Sequence, residues 1–131
     1  MIGLDTNILL RFLLQDDPIQ SPIATRIVET ELSEAAPGFV SAVVLAEVAW
    51  VLESRYRLPQ SGIAAVMEGL LRLEVLRLEH PLAVAAAVTA TTEKNVDFAD
   101  SLICLIARDA GCATTLSFDR RAQRLTECPA P

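Results

Sequence analysis

The chain has 131 residues, 52% of them hydrophobic, and a formal net charge of −6. That length predicts a single domain over residues 1–131. The acidic balance excludes nucleic-acid binding driven by overall charge, and the longest apolar stretch, Ala42 to Leu52, is broken by Glu47 and falls short of the roughly 20 residues of a membrane span.

Ile2 to Leu4 read as a short buried strand, and Asp5-Thr6-Asn7 as a polar corner leading into a helix that ends near Leu14. Gln15-Asp16-Asp17-Pro18 is a turn cluster. Ser21-Pro22 predicts the start of a second helix, serine capping and proline in the first turn, running to about Leu32. Phe39-Val40 is a strand, and Ser41 the cap of a third helix, Ala42 to about Arg55. A fourth helix runs from Pro59 to Arg72, and Leu73 to Leu76 is a strand candidate. Pro81 to Lys94 is an alanine-rich helix stopped by Asn95. Asp97 to Asp109 is a sixth helix closed by Gly111, Cys112 to Leu116 a strand, Asp119 to Leu125 a short last helix, and Cys128 onward a tail. Short apolar strands alternating with helices indicate an α/β fold with a covered parallel sheet.

Cys104, Cys112 and Cys128 are odd in number and lack C-x-x-C spacing, so they form neither a disulfide framework nor a zinc site. Cys104 reads as core filler. No basic stretch precedes the first apolar residues, so the cytoplasm is the expected compartment. The cations are ten arginines and one lysine, Lys94. Arginine is the better phosphate fork.

Four acids stand out. Asp5 follows a strand, where it either caps the next helix or faces a ligand at the carboxyl edge of a sheet. Glu47 is the only charge from Ala42 to Leu52, with Val43, Val44, Trp50 and Val51 on its face. A carboxylate in such company is either solvated or in need of a partner or a metal. Asp100 falls in the first turn of a helix that Asp97 caps, which the macrodipole favours. Asp119 follows the later strand candidate and could equally cap the last helix. Several carboxylates gathered at one sheet edge raise each other's pKa, and a divalent cation removes the conflict. All-oxygen ligation suits Mg²⁺ or Mn²⁺.

Asp5-Thr6-Asn7-Ile8-Leu9-Leu10-Arg11, the lone Glu47 ahead of Trp50-Val51-Leu52, Asp97-Phe98-Ala99-Asp100-Ser101-Leu102-Ile103 and Ser117-Phe118-Asp119-Arg120-Arg121 occur in order over nearly the whole chain. Together they resemble the PIN-domain family, and most of all the VapC-type toxins of toxin–antitoxin pairs. Ser101 and Ser117 stand where alanine and threonine are commoner, and neither departure removes a carboxylate.

The resemblance implies a three-layer α/β/α sandwich with a central parallel sheet of four or five strands. It implies an endoribonuclease that uses Mg²⁺ or Mn²⁺ on RNA, working as a homodimer that a cognate antitoxin inhibits. Asp5, Glu47 and Asp100 would be the metal ligands and Asp119 the fourth acid, with Thr6, Asn7 and Ser117 in support. Arg11, Arg120 and Arg121 are the candidate contacts to the RNA backbone. Trp50, Tyr56 and apolar positions of the third and fourth helices exceed what one small core buries, and their exposed remainder would form a dimer or antitoxin surface.

Two other classes share parts of this pattern. An aspartyl-phosphate phosphatase of the haloacid-dehalogenase type also begins with a strand and an aspartate, but it needs a second acid two positions on, where Asn7 stands. A non-catalytic acidic binding module would keep the carboxylates only for stability or docking.

Overall fold

The computed structural model describes all 131 residues. Its sheet has three parallel strands in the order β1-β2-β3, namely β1 (Ile2–Gly3), β2 (Gly38–Val40) and β3 (Leu76–Leu78). Ile2 lies opposite Gly38, and Val40 opposite Leu78. Parallel neighbours need a crossover rather than a hairpin. The crossovers are α1 (Thr6–Leu14) with α2 (Gln20–Arg26), then α3 (Ala42–Ser54) with α4 (Gln60–Arg72). After β3 come α5 (Pro81–Lys94) and α6 (Phe98–Asp109). The expected α/β fold with a parallel sheet stands.

The local signals explain most boundaries. Ser41 caps α3 by accepting from Val44 N at 3.2 Å, and Asp97 caps α6 by accepting from Asp100 N at 3.1 Å. Asn95 ends α5 in the left-handed conformation, with φ of 53°. The second helix departs from expectation. It starts before Ser21 because Asp17 Oδ1 accepts from Ile19 N and Gln20 N at 2.9 and 2.7 Å, while Ser21 Oγ accepts from Asp17 N. Its end widens into a π-helical turn at Ile27–Glu31.

The sheet of four or five strands is corrected to three. Cys112 to Leu116 joins no ladder and carries a bend at Ala113. Thr115 N donates to Glu127 O at 2.7 Å and Ser117 N to Pro129 O at 3.1 Å, so the tail takes backbone bonds that a strand here would offer a sheet. Leu116 is the one large apolar residue of that stretch, and it stays exposed. A parallel strand needs apolar residues on both faces. The expected third strand lies further on than Leu73 to Leu76, and the last helix shrinks to a 3₁₀ turn at Ala122–Arg124.

The core gathers Leu9, Leu45, Val48, Ile63, Met67, Val84 and Phe98, all fully buried. Each such side chain contributes about 1.5–3 kcal/mol relative to an exposed one. Leu45, Val48, Ala49 and Leu52 form the buried stripe of α3 at helical spacing. A second small cluster joins Val96, Cys104, Ala122, Leu125 and Cys128, so the tail is packed against α6. Glycine at position 38 lets β2 run close to its neighbours, since a Cβ there would lie 2.7 Å from Leu4 Cδ1 and 2.9 Å from Leu32 Cδ1. No helix is long and apolar enough to cross a membrane.

Candidate functional site

Asp5 ends β1 and caps α1. Its backbone is extended, and its Oδ1 accepts from Ile8 N at 3.1 Å. The side chain lines an open cavity of about 510 Å³ together with Asn7, Arg11 and Gln20. Thr6, the next residue, is buried.

Glu47 lies in a second cavity of about 220 Å³, which Thr6, Asn7 and Arg11 also line. Asn7 and Arg11 therefore stand between Asp5 and Glu47. The sequence suggested that Glu47 sits in apolar company needing a partner; instead it is exposed. The reason lies in the phase of α3. Its buried stripe leaves Glu47 on the outer side, and its companions Val43 and Trp50 are themselves 77% and 61% exposed.

Arg11 is less free than expected of an RNA contact. Its Nη1 donates to Asp16 Oδ1 at 2.9 Å and its Nε to Gln20 Oε1 at 3.1 Å. Tyr56 Oη holds the other oxygen of Asp16. Arg120 and Arg121 are exposed and form no ion pair.

Asp100 belongs to a different group. The start of α6 is anchored by Gln60, whose Oε1 accepts from Phe98 N at 2.9 Å. The Nε2 of Gln60 donates to Asp97 Oδ2 and Glu53 Oε2, both at 3.1 Å. Sequence spacing gave no sign of this tie, because the three residues lie on separate helices. The half-buried carboxyl of Asp100 is pushed above the usual range by burial first, then by Asp97, Asp119 and Glu53; Arg121 opposes the shift.

Asp119 reaches this neighbourhood on a tight turn. Its N–H donates to Ser117 Oγ at 3.0 Å, and its Oδ1 accepts from Arg121 N and Ala122 N at 2.8 and 3.2 Å. Ser117 and Asp100 line a small cavity of about 90 Å³ floored by Cys104 and Cys128.

The structure thus holds the acids in two groups. Asp5 and Glu47 flank Asn7 and Arg11, whereas Asp100 stands near Asp119 and Ser117. In donor chemistry the four carboxylates suit a hard, oxygen-liganded cation. In position they do not close a cage, since nowhere do three acidic, histidine or cysteine side chains stand together to hold a metal ion. The carboxyl ends of the parallel strands β1 and β2 share an edge, and Asp5 follows β1 there.

None of the curated proteins compared matches the chain. The family model described as PIN domain matches residues 2–127, which is almost its full length. PIN domains are in general metal-dependent nucleases. With its parallel sheet, its helical crossovers and that match, the chain belongs to the PIN-domain family.

Proposed function

We propose that this PIN domain is a metal-dependent endoribonuclease, the toxin of a toxin–antitoxin pair. The observation that carries the reading is the half-buried Asp100 carboxyl, raised by burial first and then by the negative charges of Asp97, Asp119 and Glu53, with Arg121 opposing the shift. Such a cluster is stabilised by a cation. The proposed ligands are Asp5, Glu47 and Asp100, with Asp119 as the fourth acid and Mg²⁺ or Mn²⁺ as the ion. This assignment follows the family motifs, since the four carboxylates form no ready-made cage. When bound, the ion supplies positive charge against the phosphate oxygens and a lowered pKa for water.

The chain's own groups have separate tasks. The proton of the attacking water would pass to a carboxylate, Asp100 or Asp119. Ser117 fixes the Asp119 turn through its hydroxyl, and Thr6 and Asn7 shape the wall between Asp5 and Glu47. Arg120 and Arg121, exposed and in no ion pair, are the candidates to meet the RNA backbone, whereas Arg11 is already bonded through Nε and Nη1. Family membership is the ground for preferring this reading over the aspartyl-phosphate phosphatase.

A protein partner, the cognate antitoxin or a second copy of the chain, is proposed for the groove between α3 and α6. That groove is lined only by apolar side chains, including Val43 and Ile103, which are 77% and 60% exposed. The cytoplasm is the compartment this reading implies.

The test is incubation with single-stranded RNA in Mg²⁺ or Mn²⁺, followed by mapping of the cut ends. Internal cuts that stop when chelator is added support the proposal. Intact RNA under those conditions refutes it.

A further inference from the structure

Trp50 is the only tryptophan in the chain, and it is 61% exposed. It lines the cavity of about 220 Å³ beside Glu47, together with Asn7, Arg11, Arg55 and Tyr56. Tryptophan is highly buried on average, so an indole left open at a cavity mouth calls for an explanation. The Tyr56 ring, 45% exposed, is pinned by its hydroxyl bond of 2.8 Å to Asp16, which also holds Arg11. Arg55 takes part in none of the chain's ion pairs. The wall is mainly polar, unlike the wholly apolar groove between α3 and α6.

A free guanidinium, two exposed aromatic side chains and a polar wall suit a ligand that is flat, aromatic and anionic. We infer that this groove is a nucleotide subsite for single-stranded RNA, in which a base stacks on Trp50 and the adjoining phosphate meets Arg55. The inference rests on the ribonuclease reading and adds to it the way substrate is held beside Glu47. The strand is single because a duplex keeps its base faces stacked, whereas an unpaired base can lie on an aromatic ring. A helical peptide would be expected in the apolar groove instead. The indole and the tyrosine are then substrate contacts, in place of the partner surface that their exposure alone suggested.

The single indole makes the test direct. A short single-stranded RNA is titrated in the presence of chelator, so that binding is read without cleavage. Saturable quenching of Trp50 fluorescence is expected, weakening with salt, and duplex RNA of the same sequence should give little. Trp50→Ala should weaken binding of a fluorescently labelled RNA roughly tenfold or more, with Trp50→Phe restoring part of it. Arg55→Ala should flatten the salt dependence by about one unit of slope. Both positions are exposed, so circular dichroism and melting of the variants should match wild type. In Mn²⁺, Trp50→Ala should raise KM more than it lowers kcat.

Unchanged RNA affinity and KM in Trp50→Ala, with cleavage intact, overturn the subsite and leave the nuclease standing. Fluorescence that responds to protein concentration alone assigns the ring to a self-association surface and also overturns it. Wild-type protein that neither binds nor cuts RNA removes the nuclease reading and the subsite with it.

Discussion

The hydroxyl of Tyr56 donates to Oδ2 of Asp16 at 2.8 Å, across a separation of forty residues. Arg11 holds the other carboxylate oxygen at 2.9 Å. The end of α3 is thereby tied to the turn that follows α1, and Tyr56 and Arg11, which line the cavity beside Glu47, are joined through Asp16.

This tie predicts a pH dependence. The Asp16 carboxyl is held below its usual range by the Tyr56 hydroxyl first, then by Arg11, against the opposing effect of burial. A depressed folded-state pKa contributes stability above the unfolded value of about 3.9, and that contribution is lost as pH falls through the folded value. Tyr56→Phe should therefore melt below wild type at neutral pH, with the gap closing in acid. Melting curves from neutral pH down to about pH 3 check this. The group is exposed, so the effect is small.

Asp100 predicts the opposite sign. Its carboxyl is raised by burial and by neighbouring acids, so the native state favours the protonated form. Stability therefore falls as pH rises from the unfolded carboxylate pKa through the raised folded one. Asp100→Asn should melt above wild type at neutral pH without added metal, and the advantage should fade in acid. The same substitution should abolish cleavage, the trade expected where function holds an unfavourable charge. Thermal melts over pH, read beside an RNA cleavage assay, check both halves.

Gln60 should act on Asp100 from a distance. It satisfies Phe98 N and bridges Asp97 and Glu53. Gln60→Ala leaves the start of α6 without those partners and should cost about 1–3 kcal/mol, measured by urea unfolding. Cleavage should fall more than RNA affinity, because the residue positions a carboxylate and does not touch substrate.

Thiol labelling separates the cysteines. Cys112 is exposed, while Cys104 and Cys128 are buried. Burial first, then Cys128, pushes the Cys104 thiol up to about 12. Since the thiolate is the reactive form, an alkylating reagent at neutral pH should modify one site in the native protein and three in denaturant, counted by intact mass.

The readable parts of the fold were those encoded within a few residues. Ser41, Asp97 and Asn95 terminate helices through bonds to their own neighbours, so sequence alone places them. Pro81–Lys94 matches the expected helix at both ends. The misreadings needed information from far along the chain. Cys112 to Leu116 has strand-like composition, but the tail around Glu127 and Pro129 takes its backbone bonds. Glu47 had the right apolar neighbours, yet Val43 and Trp50 face outward with it. The acids themselves were legible as residues, and PIN-domain membership agrees with the motifs that singled them out. Their mutual placement was not legible, because the position of α6 is set by packing on α3 and α5 and by Gln60, none of which spacing encodes.

The central claim is that acids from both groups serve one cation. Thermal melting with increasing Mn²⁺ tests it most directly, since an ion bound to the native state raises stability by about 2.7 kcal/mol at a hundredfold excess over Kd. The account predicts that wild type gains melting temperature with Mn²⁺, and that Asp5→Asn and Asp100→Asn, one from each group, both lose most of that gain. A gain as large as wild type's in either variant would contradict it.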